Sequence, residues 1–127
     1  ASLQAKFGMA LLFISHDLAV IARVAHQIKV MYAGKIVEEG TVTQVLKAPQ
    51  HPYTQGLLRS QYVHGTPHRA RLATIPGTVP SLYQLPLGCS FQGRCPREQP
   101  QCRAQPVPDD PGKLGRIVRC FYPGAES

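Results

Sequence analysis

The sequence predicts an α/β fold: the closing strands and helices of a larger α/β domain, followed by a small irregular extension rich in cysteine and proline. Three observations predict it. The uninterrupted apolar run Met9-Ala10-Leu11-Leu12-Phe13-Ile14 is followed by a polar break and a helical pattern, as in a strand buried on both faces of a parallel sheet. Two strand-like runs flank the turn Ala33-Gly34-Lys35. Ten of the twelve prolines and all four cysteines lie beyond residue 64. There the fixed φ and missing N–H of proline exclude long helices and central strands. The division falls at residue 60, separating residues 1–60 from 61–127.

Residues 2–7 read as the last turns of a helix closed by Gly8 as a C-cap. After the apolar run, Ser15-His16-Asp17 breaks the pattern, and Asp17 is suited to accept the first N–H groups of a helix. That helix is expected over residues 18–27, with Leu18, Ile21, Ala22 and Ala25 on one stripe. Residues 28–32 form a strand, Ala33-Gly34-Lys35 a tight turn, and residues 36–40 the returning strand. Thr41 and Gln44 have capping-box spacing, and the helix they open ends before Pro49. Another short helix runs from Tyr53 to Ser60, with Tyr53, Leu57 and Leu58 as its contacts to the core. Beyond Tyr62 the regular signals fade. Pro67, Pro76, Pro80 and Pro86 punctuate an extended segment, and Asp109-Asp110-Pro111-Gly112 reads as a turn.

The formal net charge is +7. Residues 1–60 carry six Lys/Arg against three Asp/Glu, and residues 61–127 carry eight against four, so the excess forms no run. A diffuse basic surface is compatible with nucleic acid, an anionic membrane or a nucleotide. The first ten residues contain no signal-peptide core, and the six-residue apolar run is too short to span a bilayer. The start Ala1-Ser2-Leu3-Gln4 is expected to be an internal cut.

Residues 11–18, L-L-F-I-S-H-D-L, resemble the switch-histidine segment of ABC ATPases, in which a buried strand ends in S/T-H-D. Residues 30–40 are similar to the hairpin that follows it. Ala48-Pro49-Gln50-His51-Pro52-Tyr53-Thr54-Gln55-Gly56-Leu57-Leu58 and Gly88-Cys89-Ser90-Phe91-Gln92-Gly93-Arg94-Cys95 resemble the HPYT signature and the Cys element of the oligopeptide/dipeptide importer branch. The resemblance implies the C-terminal fragment of a P-loop ABC-type nucleotide-binding domain, followed by that branch's extension. It implies ATP with Mg²⁺ as ligand in the intact protein. The implied partners are a second ATP-binding subunit, two transmembrane permease subunits and, indirectly, an extracytoplasmic binding protein. The implied location is peripheral, at the cytoplasmic face of the membrane. His16 is the implied catalytic and ATP-contacting residue, since an imidazole can donate a hydrogen bond to the γ-phosphate and sense its charge. His26 reads as a helix-surface residue and His51 as part of a turn; His64 and His68 carry no clear signal.

No G-x-x-x-x-G-K-[ST] loop, signature motif or apolar strand ending in Asp-Glu occurs in these residues. Phosphoryl transfer needs phosphate, metal and water positioned together, so this stretch is not expected to hydrolyse ATP alone. Cys89, Cys95, Cys102 and Cys120 are spaced C-x5-C-x6-C-x17-C, without the close pairs of structural zinc sites. Four thiolates in a tail with little core suit a 4Fe–4S cluster wrapped by loops, which the resemblance also implies; zinc, free thiols or an adventitious disulfide are the alternatives. Arg94, Arg97, Arg103 and Arg119 lie near the cysteines in sequence and would favour thiolates. Two competing functions are a metal-stapled basic nucleic-acid-binding module and a non-functional truncated remnant of the importer subunit. Against the first, only Phe91, Phe121 and Tyr122 lie near the cysteines as stacking groups.

Overall fold

The computed structural model describes residues 6–62, 75, 77–108 and 116–124. Most of the helix expected before Gly8, His64, His68, Pro67, Pro76 and the turn at residues 109–112 lie outside the described residues. Helices are α1 (Leu18–Val24), α2 (Val42–Lys47), α3 (Pro52–Tyr62) and α4 (Pro100–Ala104). Strands are β1 (Gln27–Tyr32), β2 (Lys35–Thr41) and β3 (Ile117–Val118), in a three-stranded antiparallel sheet of order β1-β2-β3.

The hairpin is built by its turn. Ala33 and Gly34 both take positive φ, 49° and 79°, which gives the two-residue connection the twist that strands require. Along β1, alternation buries Ile28, Val30 and Tyr32. The register then shifts between Val30, opposite Glu38, and Met31, opposite Ile36. This bulge leaves Val37 as the extra residue of β2, so that consecutive residues Val37 and Glu38 are both buried. Strict alternation would send one of them to solvent.

Thr41 and Gln44 form the expected reciprocal capping box: Gln44 N–H donates to Thr41 Oγ1 at 3.2 Å and Thr41 N–H to Gln44 Oε1 at 3.0 Å. α2 closes one side of the core with Val45, which is 1% exposed. α3 begins at Pro52, where the absent N–H of proline costs nothing, and packs Tyr53 and Leu57 on the hairpin. Four rings join the elements: Phe91 lies 5.2 Å from Tyr32, 5.5 Å from Tyr53 and 6.0 Å from His51, and Tyr32 lies 4.6 Å from Tyr53. Phe91, from the Cys-rich stretch, is therefore a core residue of the hairpin. β3 pairs with β2 through Glu38↔Val118 and Glu39↔Ile117.

Two expectations are corrected. Residues 9–14 are not in a strand; their chain has no ladder partner among the described residues, and Leu12 and Ile14 are 88% and 90% exposed. A strand needs a neighbour for its N–H and C=O groups, and an apolar run alone supplies none. Helix α1 stops at Val24, three residues early, because Ala25 already has extended backbone as its C-cap. His26 therefore precedes β1 rather than sitting on a helix.

Candidate functional site

His16 sits at an exposed bend directly after residues 9–14. The local chemistry of this bend follows the sequence: Asp17 Oδ1 accepts the N–H groups of Ala19 at 3.0 Å and Val20 at 3.3 Å, and Asp17 N–H donates to Ser15 Oγ at 3.0 Å. The cap thus fixes the point where the chain enters α1, one residue beyond His16.

The four cysteines, whose extremes lie 31 positions apart in sequence, line one pocket together with His51, Phe91, Arg97 and Glu98. All four are free thiols. Cys89 is tied to α4 by its N–H donating to the Cys102 carbonyl at 2.8 Å. Backbone N–H groups point at the sulfurs: Arg97 N–H to Cys95 Sγ at 3.4 Å, Gln99 N–H to Cys102 Sγ at 3.5 Å, and Tyr122 N–H to Cys120 Sγ at 3.4 Å. Such donors favour anionic sulfur, bare or metal-bound. Burial opposes ionisation, pushing up the thiols of Cys89 and Cys95 and raising Cys120 to about 11. A metal would displace those protons. Among the described residues, no three His, Cys, Asp or Glu side chains stand close enough together to hold a single metal ion.

Arg97 places a guanidinium at this pocket. Its Nη1 donates to the Gly124 carbonyl at 3.1 Å and its Nη2 to the Gln50 carbonyl at 3.2 Å, while its Nε is buried without a partner. Its terminal nitrogens are thus bound to neutral carbonyls, and an anionic group in the pocket would balance its charge. Of the other arginines near the cysteines, Arg94 donates to the Tyr32 hydroxyl and the Ile75 carbonyl, and Arg103 pairs with Glu98 at 3.2 Å.

The residues that sequence reading missed are Glu38 and His51. Glu38 has no exposed surface. Its carboxylate accepts Gln50 N–H at 3.0 Å, His51 N–H at 2.9 Å and Arg116 Nη2 at 2.6 Å, locking the corner before α3 to the segment before β3. His51 is 1% exposed. Its Nδ1 accepts Tyr53 N–H at 3.0 Å, which assigns the proton of the neutral ring to Nε2. Burial lowers its pKa to about 4; the Arg119 carbonyl raises it in part, and the Arg97 charge lowers it further. Nε2 has no partner in hydrogen-bond geometry. Only the Glu-Glu-Gly ending of β2 and the His-Pro pair hinted at this corner.

The model of the family described as "Oligopeptide/dipeptide transporter, C-terminal region" matches residues 37–102, just over half of the chain. The chain belongs to this family. The oligopeptide/dipeptide transporter C-terminal match runs from β2 to α4, and so covers Glu38, His51 and three of the four cysteines; Cys120 lies beyond it. The dipeptide transport ATP-binding protein DppD of Escherichia coli (strain K12) is 46% identical over 121 residues, covering 95% of this chain and 37% of the relative. The Haemophilus influenzae protein of the same name is 45% identical over 123 residues, covering 95% and 36%. The chain thus spans little more than a third of the length of these relatives.

Proposed function

We propose that this chain is the C-terminal part of the ATP-binding subunit of an ABC importer, coupling ATP binding and hydrolysis to uptake of peptides or related small solutes. The observation that carries the reading is the family match over residues 37–102, extended by the relatives named for dipeptide transport. Residues 1–60 are read as the end of the ATPase domain and 61–127 as its extension. The exposed side chains of residues 9–14 support this, since so contiguous an apolar stretch calls for a covering surface; further strands of the ATPase domain would supply one. In that setting His16, at the exposed bend after residues 9–14, would face the bound nucleotide. Its imidazole would donate to the γ-phosphate and orient the attacking water. Mg²⁺, when bound, would neutralise phosphate charge, and none of the described residues is assigned to hold it. The partners would be a second ATP-binding subunit across the nucleotide and two permeases, with the binding protein acting indirectly, at the cytoplasmic face of the membrane. Phe91, 2% exposed, is buried and unsuited to stacking on bases, which disfavours the nucleic-acid alternative.

Cys89, Cys95, Cys102 and Cys120 are proposed to hold a 4Fe–4S cluster, with a structural or redox-sensing role. The backbone donors to sulfur and the Arg97 charge support an anionic centre.

The test is ATP-driven peptide uptake by the full-length subunit with its permeases in vesicles. His16→Ala should abolish turnover and uptake; unchanged turnover removes the assigned role. Anaerobic purification with iron and sulfide assays tests the cluster, whose broad visible band Cys95→Ser should remove. Colourless protein containing zinc would reject the cluster and leave the importer reading standing.

A further inference from the structure

Four hydrogen bonds meet on Asp17, the residue after the histidine read as the nucleotide contact. Its N–H donates to Ser15 Oγ at 3.0 Å, closing a side-chain turn over His16. Its Oδ1 accepts the N–H groups of Ala19 at 3.0 Å and Val20 at 3.3 Å, and its carbonyl accepts Ile21 N–H at 3.2 Å. His16 itself is an exposed bend residue, outside any strand or helix. Regular secondary structure therefore does not set the direction of its backbone. The flanking residues do: Ser15 reaches across the bend from one side, and Asp17 ties the other side to the first turn of α1. Asp17 has the extended backbone of a cap, with φ −94° and ψ 101°, so the chain changes course between His16 and Leu18. Losing the cap acceptor would strand two N–H groups of a seven-residue helix. A helix that short has few later turns to hold its first one in place.

We infer that Asp17 is a positioning residue for His16: as the cap of α1 and the donor to Ser15, it holds the bend that presents the imidazole to the terminal phosphate. The inference rests on the reading of His16 as the ATP-contacting residue. It gives the Asp17 side chain a task that does not need its charge. A cap needs only an oxygen acceptor, which asparagine supplies about as well as aspartate. A carboxylate acting through its charge, on the imidazole or as a base, would fail when replaced by the amide. Displacing a reacting group by about 1 Å costs on the order of 100-fold in rate, so a loosened bend is expected to act on turnover more than on ATP affinity.

The test is ATP turnover by the full-length subunit with its permeases in vesicles, with kcat and KM for ATP measured separately. Asp17→Ala should lower kcat about 10–100-fold and leave KM for ATP little changed. Asp17→Asn should keep kcat near the wild-type level. Ser15→Ala should lower kcat in the same direction, and Ser15→Thr, which keeps the hydroxyl, should restore it. Equal loss in the asparagine and alanine variants of Asp17 overturns the inference, because charge rather than capping is then what counts. A fall in Asp17→Ala matched by an equal fall in folded subunit, followed by circular dichroism, also overturns it and reduces Asp17 to a fold residue. Wild-type kcat in Asp17→Ala, where His16→Ala has lost turnover, overturns the inference and leaves the reading of His16 standing. Wild-type turnover in His16→Ala overturns that reading and this inference together.

Discussion

Replacing Glu38 with alanine removes the carboxylate that joins three separate parts of the chain. It has no exposed surface, and it accepts from two backbone N–H groups at the start of α3 and from Arg116 at 2.6 Å. The variant leaves a guanidinium that is 14% exposed without its charge partner and two backbone donors unsatisfied. Breaking one half of a buried ion pair costs about 3–5 kcal/mol, and hydrogen bonds to a charged group contribute about 1.5–3 kcal/mol each. These overlap, so we expect a loss of about 3–5 kcal/mol, a large share of the roughly 5–15 kcal/mol that holds a small domain folded. Urea unfolding followed by far-UV circular dichroism measures it as a lowered midpoint at unchanged slope. Glu38→Gln and Arg116→Met, singly and together, isolate the pair; the double variant should cost less than the sum by about 1–3 kcal/mol. A cost below about 1 kcal/mol for Glu38→Ala, the range of exposed pairs, would refute the assignment of Glu38 as the internal tie.

Gly88→Ala should destabilise the chain and, on the proposed cluster reading, weaken metal retention. Gly88 has φ +84°, and a Cβ there would meet the Cys102 carbonyl oxygen and come within 2.9 Å of the Gln105 carbonyl oxygen. Strain of about 1–3 kcal/mol would be relieved only by separating Cys89 from Cys102, as thermal unfolding and metal assay would detect. His51 makes the metal-free chain acid-labile. Its folded pKa of about 4 lies below the ordinary 6.5, so the unfolded state binds the proton first and stability present above pH 6.5 is lost as pH falls toward 4. The loss at pH 5 relative to pH 8 is about 2 kcal/mol, and His51→Asn should remove that part of the urea-midpoint shift. Cys120 is raised from 9.0 to about 11 by burial. In the metal-free folded chain at pH 8 it should alkylate about 100-fold more slowly than in urea. The stability that comes from keeping this thiol protonated is lost as pH rises from about 9 toward 11.

The hairpin, the capping box at Thr41 and Gln44, the cap at Asp17 and the start of α3 were legible in the sequence. Each depends on residues no more than a few positions apart, and turn dihedrals and caps are decided within that span. The family was legible for the same reason, through short motifs in order. What only the tertiary structure decided spans the chain. The bulge at Val37 turned Glu38 inward, where Arg116, 78 residues later, met it. Cys120 joined three cysteines across 17 intervening residues, and His51 passed from a turn residue to a buried donor beside them. The apolar run at residues 9–14 marks the opposite limit. Its hydrophobicity suits a buried strand, but a strand exists only where a neighbouring strand completes its hydrogen bonds, and no composition of the run itself can supply that neighbour.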